Sequence, residues 1–185
     1  GGYIRKEGDS FVIAELDGPG CIWRTWSARP LDGHVRIYLD GSTEPAVDLP
    51  FAGYFDLSNA PFNYPGLVYD ASSGKNCYVP IPFQKSCKIV ADSGWGAYYQ
   101  FTYSTFPKGT VVPTFTRNLK PEDLLALDRA NRILTKGLGM DAVRRSRAMP
   151  TIAKAVSIAP GETVTVASID GPNAITSLRV RINDK

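Results

Sequence analysis

The sequence predicts an all-β fold, a jelly-roll β-sandwich with one linker helix. Three observations predict it. The composition is turn-rich, with 17 Gly and 14 Pro among 185 residues. Short runs of β-branched and aromatic residues fill the first hundred positions, separated by Gly, Pro, Asn and Asp clusters. Runs of this length and spacing are typical of a two-sheet sandwich.

The individual strands follow from alternation and from the turns that end them. In chain order the predicted strands are 10–16, 21–28, 35–39, part of 76–82, 87–92 and 98–106. Asp40-Gly41 is expected to form a tight hairpin turn with a left-handed backbone. In the last strand Tyr99, Phe101 and Tyr103 are predicted to share the buried face.

One helix is predicted over residues 121–136. Pro121 occupies its first turn, Glu122 and Asp123 follow at the positive end of the helix dipole, and Gly137 stands just past the last turn. The apolar stripe is formed by Leu124, Leu127 and Leu134, widened by Leu125 and Ile133. We interpret this helix as a packing and linking element.

The chain contains an internal repeat. Residues 8–22 align without a gap with residues 161–175, and both carry an Asp-Gly-Pro turn. Each copy is expected to form a strand, a tight turn and a return strand, and their separation is that of a whole domain. We therefore predict a first jelly-roll domain in 1–117, a helical linker in 118–160 and the opening strands of a truncated second jelly roll in 161–185.

Charge argues against a nucleic-acid partner. The net charge is +3, and the basic residues are scattered apart from Arg144, Arg145 and Arg147, which we assign to a solvated linker. No apolar run reaches the length of a membrane span, so we expect no membrane partner. Periplasmic, secreted and cytoplasmic locations are all left open.

Cysteine and histidine usage argues against metal and triad chemistry. The three cysteines lack Cys-x-x-Cys spacing, which favours buried free thiols over a zinc site, with one bridged pair as the alternative in an exported protein. A single histidine, His34, cannot build a multi-histidine metal centre. We expect no metal and no cofactor.

Aromatic and charged side chains on strands are the candidate ligand contacts. The aromatic set is Trp23, Trp26, Trp95, Tyr98 and Tyr99. Such rings can stack on sugars, but filling the sandwich core is the preferred interpretation. Arg24 and Arg36 alternate with apolar neighbours, and each is expected to pair with a carboxylate or to donate to a sugar hydroxyl.

Aspartates recur in the predicted turns, at Asp17, Asp32, Asp40, Asp48, Asp56 and Asp70. Paired carboxylates can cleave glycosidic bonds. Turn formation nevertheless explains most of these residues adequately.

Four motifs, in order, resemble one known family. They are DGPGCIWRTWSA at 17–28, VRIYLDG at 35–41, CYVPIPFQKSCKI at 77–89 and YYQFTY at 98–103. The chain is similar here to the domain of unknown function numbered 2961, later recognised as glycoside hydrolase family 172. The motifs cover residues 8–117 well.

The resemblance implies the N-terminal half of a double jelly roll that assembles as homotrimers or hexamers. It implies carbohydrate substrates with fructofuranosyl or arabinofuranosyl linkages, including difructose dianhydride and D-arabinan, cleaved with retention by two glutamates. In the family both glutamates belong to the second roll, so they are expected beyond Lys185 and no catalytic residue is carried over. Substrate contact is expected at Trp23, Arg24, Trp26 and Asp40, in a pocket between subunits.

Two other classes of function stay in view. One is a non-catalytic carbohydrate-binding or trimer-forming structural jelly-roll module. The other is a capsid-like assembly protein, which shares the fold expectation. The glycosidase hypothesis predicts that this chain alone is inactive, because its catalytic pair would be missing.

Overall fold

The computed structural model describes residues 2–137 and 150–182. The chain divides into two compact units, Gly1–Lys136 and Gly137–Lys185, which are described separately. The predicted basic cluster at 144–147 lies outside the described residues.

Two antiparallel sheets form the first unit. The strands are β1 Arg5–Glu7, β2 Ser10–Asp17, β3 Gly20–Pro30, β4 His34–Leu39, β5 Val47–Pro50, β6 Val68–Ala71, β7 Gly74–Cys77, β8 Ile81–Phe83, β9 Ser86–Ala91 and β10 Gly96–Thr105. The first sheet has the order β1-β2-β9-β4-β5, and the second has the order β10-β3-β7-β6 with β8 paired to β3. The predicted β-sandwich with one helix is confirmed.

Alternation along the strands builds the core between the sheets. In β4, Val35, Ile37 and Leu39 are almost fully buried, whereas Arg36 and Tyr38 face outward. Burying each such apolar side chain stabilises the fold by about 1.5–3 kcal/mol. A cluster of aromatic rings from the 3-10 helix Phe51–Tyr54 and the loop after it completes this core.

The repeat's first copy crosses between the sheets. β2 pairs with β9, whereas β3 pairs with β10, β7 and β8, so the return strand after the Asp-Gly-Pro turn enters the other sheet. The Gly18-Pro19 peptide bond in this turn is cis.

The predicted turn at Asp40-Gly41 exists, but it does not close a two-residue hairpin. Both residues have the expected positive φ, 58° and 80°, and the Ser42 N–H donates to the Leu39 carbonyl at 3.0 Å. β4 pairs with β5 only at residues 34–37, and the first paired residue of β5 is Val47, so the pairing does not reach Asp40-Gly41. The turn therefore opens a longer loop.

The last strand buries only part of its predicted face. Tyr99 and Phe101 pack against the core, but Tyr103 is 47% exposed. β10 is an edge strand whose register with β3 shifts between Thr102 and Tyr103. Tyr103 is therefore exposed at the sheet edge, although its partner on β3, Ile22, is fully buried.

The helix α1, Pro121–Lys136, has the predicted bounds. It packs on the first unit through Leu127 and through Asn131, whose side-chain oxygen accepts from the Gly66 N–H at 2.7 Å. A Cβ on Gly66 would lie 2.7 Å from the Asn131 carbonyl oxygen, so the contact is made directly to the loop backbone. The predicted leucine stripe is buried only at its centre, since Leu125 remains 66% exposed. None of the helices in the described ranges is long and apolar enough to cross a membrane.

The described residues of the second unit, 150–182, contain no regular secondary structure. They have a turn at Gly161 and a bend at Gly171-Pro172, whose peptide bond is cis, but no hydrogen-bonded strand within that range. In the first copy of the repeat both strands depend on partners from later in the domain, β9 and β10, and residues 150–182 contain no counterpart. The division into 1–117, 118–160 and 161–185, including the opening of a second roll, stays a prediction.

Candidate functional site

Three of the four predicted site residues lie together on the outer face of the second sheet. Along β3, Thr25 and Ser27 point into the sandwich and are buried. Strand alternation therefore directs Arg24 and Trp26 outward. Trp23 joins them for a different reason.

A β-bulge brings Trp23 to this outer face. Arg24 pairs with Thr102 while Ile22 pairs with Tyr103, so Trp23 has no partner on β10. Strict alternation would place Trp23 on the core side, but the unpaired residue of a bulge is re-aimed. Trp23 is 42% exposed as a result.

Hydrogen bonds to two uncharged amide side chains hold Arg24 at the centre of this outer face. Its Nε and Nη2 donate to the Asn76 side-chain oxygen at 3.0 and 2.8 Å, and its Nη1 donates to the Gln100 side-chain oxygen at 3.2 Å. The guanidinium carbon lies 5.8 Å from the ring centroids of both Trp26 and Tyr78, which is cation–π distance. The guanidinium is therefore held in plane and position.

The residues beneath this guanidinium are buried and satisfied. Asn76 is 5% exposed, and its amide nitrogen donates to the Gly74 carbonyl at 3.1 Å. A Cβ on Gly74 would lie 2.3 Å from the Trp26 Nε1, so the indole lies directly on the glycine backbone. The absence of a side chain at Gly74 thus leaves a recess in the sheet surface, and the Trp26 ring fills it.

Further aromatic rings extend the surface on both sides. Tyr69 and Tyr78 stack with centroids 6.0 Å apart and an interplanar angle of 16°. Burial and the neighbouring Tyr78 raise the pKa of Tyr69, which keeps its hydroxyl protonated.

On the β10 side of the surface, the Trp23 indole donates a hydrogen bond to the Ser104 hydroxyl at 3.1 Å.

We call this surface the aromatic–arginine face and define it as Trp23, Arg24, Trp26, Tyr69 and Tyr78. Flat rings offer stacking surfaces to the C–H face of a sugar, and a guanidinium offers N–H donors to its oxygens. The arrangement can therefore hold a carbohydrate by combined stacking and hydrogen bonding.

The predicted aromatic set divides between core and surface. Trp95 and Tyr99 pack against the core, as the preferred interpretation expects. For Trp23 and Tyr98, which are 42% and 65% exposed, and for Trp26, whose ring lies on the outer face against Gly74, the core interpretation is wrong. The bulge explains Trp23, and Tyr98 leaves the sheet surface with a positive φ of 60°.

Asp40, the fourth predicted site residue, lies in the first sheet's turn and is not brought to this face. Its carboxylate accepts hydrogen bonds from the backbone N–H groups of Lys85 at 2.6 Å and of Gln84 and Ser86 at 3.2 Å, and from the Thr114 hydroxyl. Partial burial raises the pKa of Asp40, but these hydrogen bonds outweigh it and lower the pKa overall. The residue thus ties three chain segments together, and its predicted substrate contact stays a prediction.

A shallow groove of about 880 Å³ on the outer face of the first sheet is the alternative site. Four of the five charged side chains that line it, all except Asp17, are held in ion pairs. Arg5 bridges Glu7 and Glu15 at 2.7 and 2.6 Å, and Lys88 reaches Glu7 at 2.6 Å. Arg36 pairs with a carboxylate as predicted, that of Asp92.

These ion pairs make the groove a poor place for glycosidic acid catalysis. Hydrogen bonds from Lys88 and Arg5 lower the pKa of Glu7, and those from Arg5 lower that of Glu15. A general acid needs a carboxyl whose pKa is raised, so that it carries a proton near neutral pH. The pKa values of Glu7 and Glu15 are instead lowered.

The cysteines are buried free thiols, as predicted. Burial raises the pKa of Cys21 to about 11 and those of Cys77 and Cys87 to about 12, so none is an activated nucleophile. Within residues 2–137 and 150–182, no group of three or more His, Cys, Asp or Glu side chains is placed to hold a metal ion.

Asn76, Tyr78 and Gln100 were missed by sequence reasoning. Cross-strand register brings two of them to Arg24, since Trp26 pairs with Asn76 on one side and with Gln100 on the other. Strand alternation alone could have placed Gln100 on the outer face of β10. The local sequence pattern does not indicate which strands lie on either side of β3.

Comparison with known proteins identifies the sandwich. A family model described as the GH172 first beta-sandwich domain matches residues 1–123. The matched range contains every strand of both sheets and the start of α1. None of the curated proteins matches the chain.

Proposed function

We propose, since the chain belongs to glycoside hydrolase family 172, that it contributes the first sandwich of an enzyme that cleaves fructofuranosyl or arabinofuranosyl linkages with retention. The observation that carries the proposal is the aromatic–arginine face. Exposed rings and a fixed guanidinium on a rigid sheet suit sugar recognition better than the groove of the first sheet, whose charged side chains are mostly held in ion pairs.

Pre-organisation supports a binding role for this face. The Trp26 ring rests on Gly74, and Arg24 is fixed by hydrogen bonds to two amide side chains. Groups already held in place lose little conformational entropy when a ligand binds. Stacking on Trp23 then needs no rearrangement of the sheet.

The two glutamates of the proposed mechanism are assigned, as the family resemblance implies, to residues beyond Lys185. The carboxylates with shifted pKa values in the described ranges, Glu7, Glu15, Asp40 and Asp56, all have them lowered, which is unfavourable for the general acid of such a pair. We propose that the face forms one wall of a site completed by further protein, in a homotrimer or hexamer.

Binding and turnover by the 185-residue chain test this proposal. Arabinotriose and a fructo-oligosaccharide are expected to quench tryptophan fluorescence, and Trp23→Ala is expected to weaken binding about tenfold or more, because stacking on an exposed ring is lost. Tyr98→Ala removes an exposed ring outside the face and is the matched control. Aryl arabinofuranosides and fructofuranosides should not be turned over by this chain.

Two results would contradict the proposal. Equal binding by the Trp23 and Tyr98 variants would remove the face from carbohydrate recognition. Robust turnover by the isolated chain would place the catalytic pair within residues 1–185.

A non-catalytic carbohydrate-binding module is the second candidate. The neutral partners of Arg24 favour it, because the described face has stacking rings and donors but no carboxylate in contact with the guanidinium. The natural gene product separates the two candidates. Sugar binding with furanoside turnover identifies the hydrolase, and binding without turnover identifies the module.

A further inference from the structure

We infer that the aromatic–arginine face is selective for an acidic sugar, whose carboxylate pairs with the Arg24 guanidinium while its ring stacks on a neighbouring tryptophan. This inference rests on the proposed carbohydrate-binding function and adds the charge of the bound residue.

The partners of Arg24 leave its charge uncompensated. The other strand cations with hydrogen-bonded side chains, Arg5, Arg36, Lys75 and Lys88, are each paired with a carboxylate. Arg24 instead donates to two amide oxygens, and no carboxylate of the described ranges lies within ion-pair distance of it. Its positive charge therefore remains available to an anion.

The nearest stretch of sheet does not supply that anion. Asp70 follows Tyr69 on β6, but its carboxylate is paired with Lys75 on β7 at 2.8 Å. The Tyr69 hydroxyl stays neutral, since burial and the neighbouring Tyr78 raise its pKa. The face consequently has a net positive centre.

The geometry of Arg24 suits a carboxylate. A guanidinium has five N–H donors, and three are engaged by Asn76 and Gln100. The two that remain belong to a planar group whose orientation is already fixed, and charge-assisted hydrogen bonds to carboxylates are about twice as strong as neutral ones.

The surrounding rings favour a sugar over a free anion. Trp23 is 42% exposed beside Arg24, and the Trp26 ring is held in place on Gly74. A small anion would use the guanidinium and leave these rings in water. A carboxylated sugar engages both, because its carboxylate and its apolar ring face are parts of one rigid residue.

Trigalacturonate and its methyl ester form a matched acidic and neutral probe pair. We expect the acid to bind about tenfold more tightly than the ester, with affinity that falls as salt rises. Arg24→Gln should reduce acid binding to the level of the ester. Arg29→Gln removes an exposed charge from the same strand, and it should leave acid binding within about twofold.

Sodium acetate separates sugar recognition from simple anion binding. Acetate at the trigalacturonate concentration should neither perturb Trp23 fluorescence nor displace the acid. If acetate competes as well as trigalacturonate, or if acid and ester bind equally to the wild-type chain, the inference is wrong. The comparison of acid and ester binding by the wild-type chain tests the inference even if Arg24→Gln fails to fold. Arg24→Lys, which keeps the positive charge, should retain part of the preference for the acid over the ester.

Arabinotriose binding, measured in parallel, keeps this inference distinct from the proposed function. Trp23-dependent arabinotriose binding without preference for the acid would overturn the inference and leave the proposed function standing. Arg24-dependent binding of the acid without any arabinotriose binding would support the inference and count against the furanoside assignment.

Discussion

The side-chain oxygen of Asn76 accepts two hydrogen bonds from one guanidinium, at 3.0 Å from Arg24 Nε and 2.8 Å from Nη2. The amide nitrogen of the same residue donates into the backbone of its own hairpin, at Gly74. Asn76 therefore connects the surface arginine to the sheet, and this connection fixes Arg24 between the Trp26 and Tyr78 rings.

Asn76→Ala should destabilise the sandwich by about 1–3 kcal/mol, because it removes a nearly buried amide and leaves its partners unsatisfied. Urea unfolding followed by circular dichroism measures this change. Gln100→Ala, which removes one exposed hydrogen bond to the same guanidinium, is the control and should cost under about 0.5 kcal/mol. Equal losses in the two variants would show that Asn76 has no special structural role.

Gly74→Ala should displace the Trp26 ring, because the new Cβ would lie 2.3 Å from the indole Nε1. We expect a loss of about 1–3 kcal/mol from overpacking, with a change in tryptophan emission. Gly2→Ala, where a Cβ would meet no atom within 4 Å, should change neither quantity. Unchanged emission in the Gly74 variant would mean that the indole does not lie on this glycine.

Asp40 should contribute to acid unfolding. Its pKa is lowered in the folded state, so its contribution is present above its ordinary value of 3.8 and is lost as the pH falls through the lower folded value. Asp40→Asn keeps the size and tolerates the positive φ, but it removes this dependence.

Stability measured between pH 6 and pH 2 should therefore fall less steeply in Asp40→Asn than in the wild type. Asp32→Asn, which makes the same chemical change at an exposed turn residue, is the matched control. Glu7 and Glu15, whose pKa values are also lowered, maintain part of the slope in both variants. An acid limb in Asp40→Asn as steep as that of the wild type would contradict the role of Asp40.

Substitutions in the β6–β7 hairpin turn should increase the stability of the fold. Ser72 and Ser73 both have positive φ, 49° and 63°, in a two-residue turn between Ala71 and Gly74. Asn-Gly is the preferred pair for this geometry, so Ser72→Asn with Ser73→Gly should stabilise the fold by about 0.5–1 kcal/mol. Ser93→Gly, at an exposed position without positive φ, should give no gain in the same urea midpoint measurement.

Local pattern was sufficient for the elements themselves. The alternation of 35–39, the turn chemistry of Asp40-Gly41 and the Pro, acidic and Gly signals around 121–136 each act over a few neighbouring residues, and these elements formed where they were predicted. The core position of Tyr103 and the tight hairpin at Asp40-Gly41 were wrong, because the position of β10 at the sheet edge and the residue at which β5 begins to pair with β4 are set by strand pairing.

The sandwich class, the helix bounds and the family motifs could be predicted from the amino-acid sequence, because these depend on periodicity, turn residues and short segments in order. The contacts between side chains depend on the tertiary fold. It turned Trp23 outward by a bulge against β10, set Arg24 between Asn76 and Gln100 from two different strands, and occupied the Asp40 carboxylate with the loop before β9. The physical reason is register: pairing between distant strands assigns each side chain its neighbours, and no local pattern specifies that pairing.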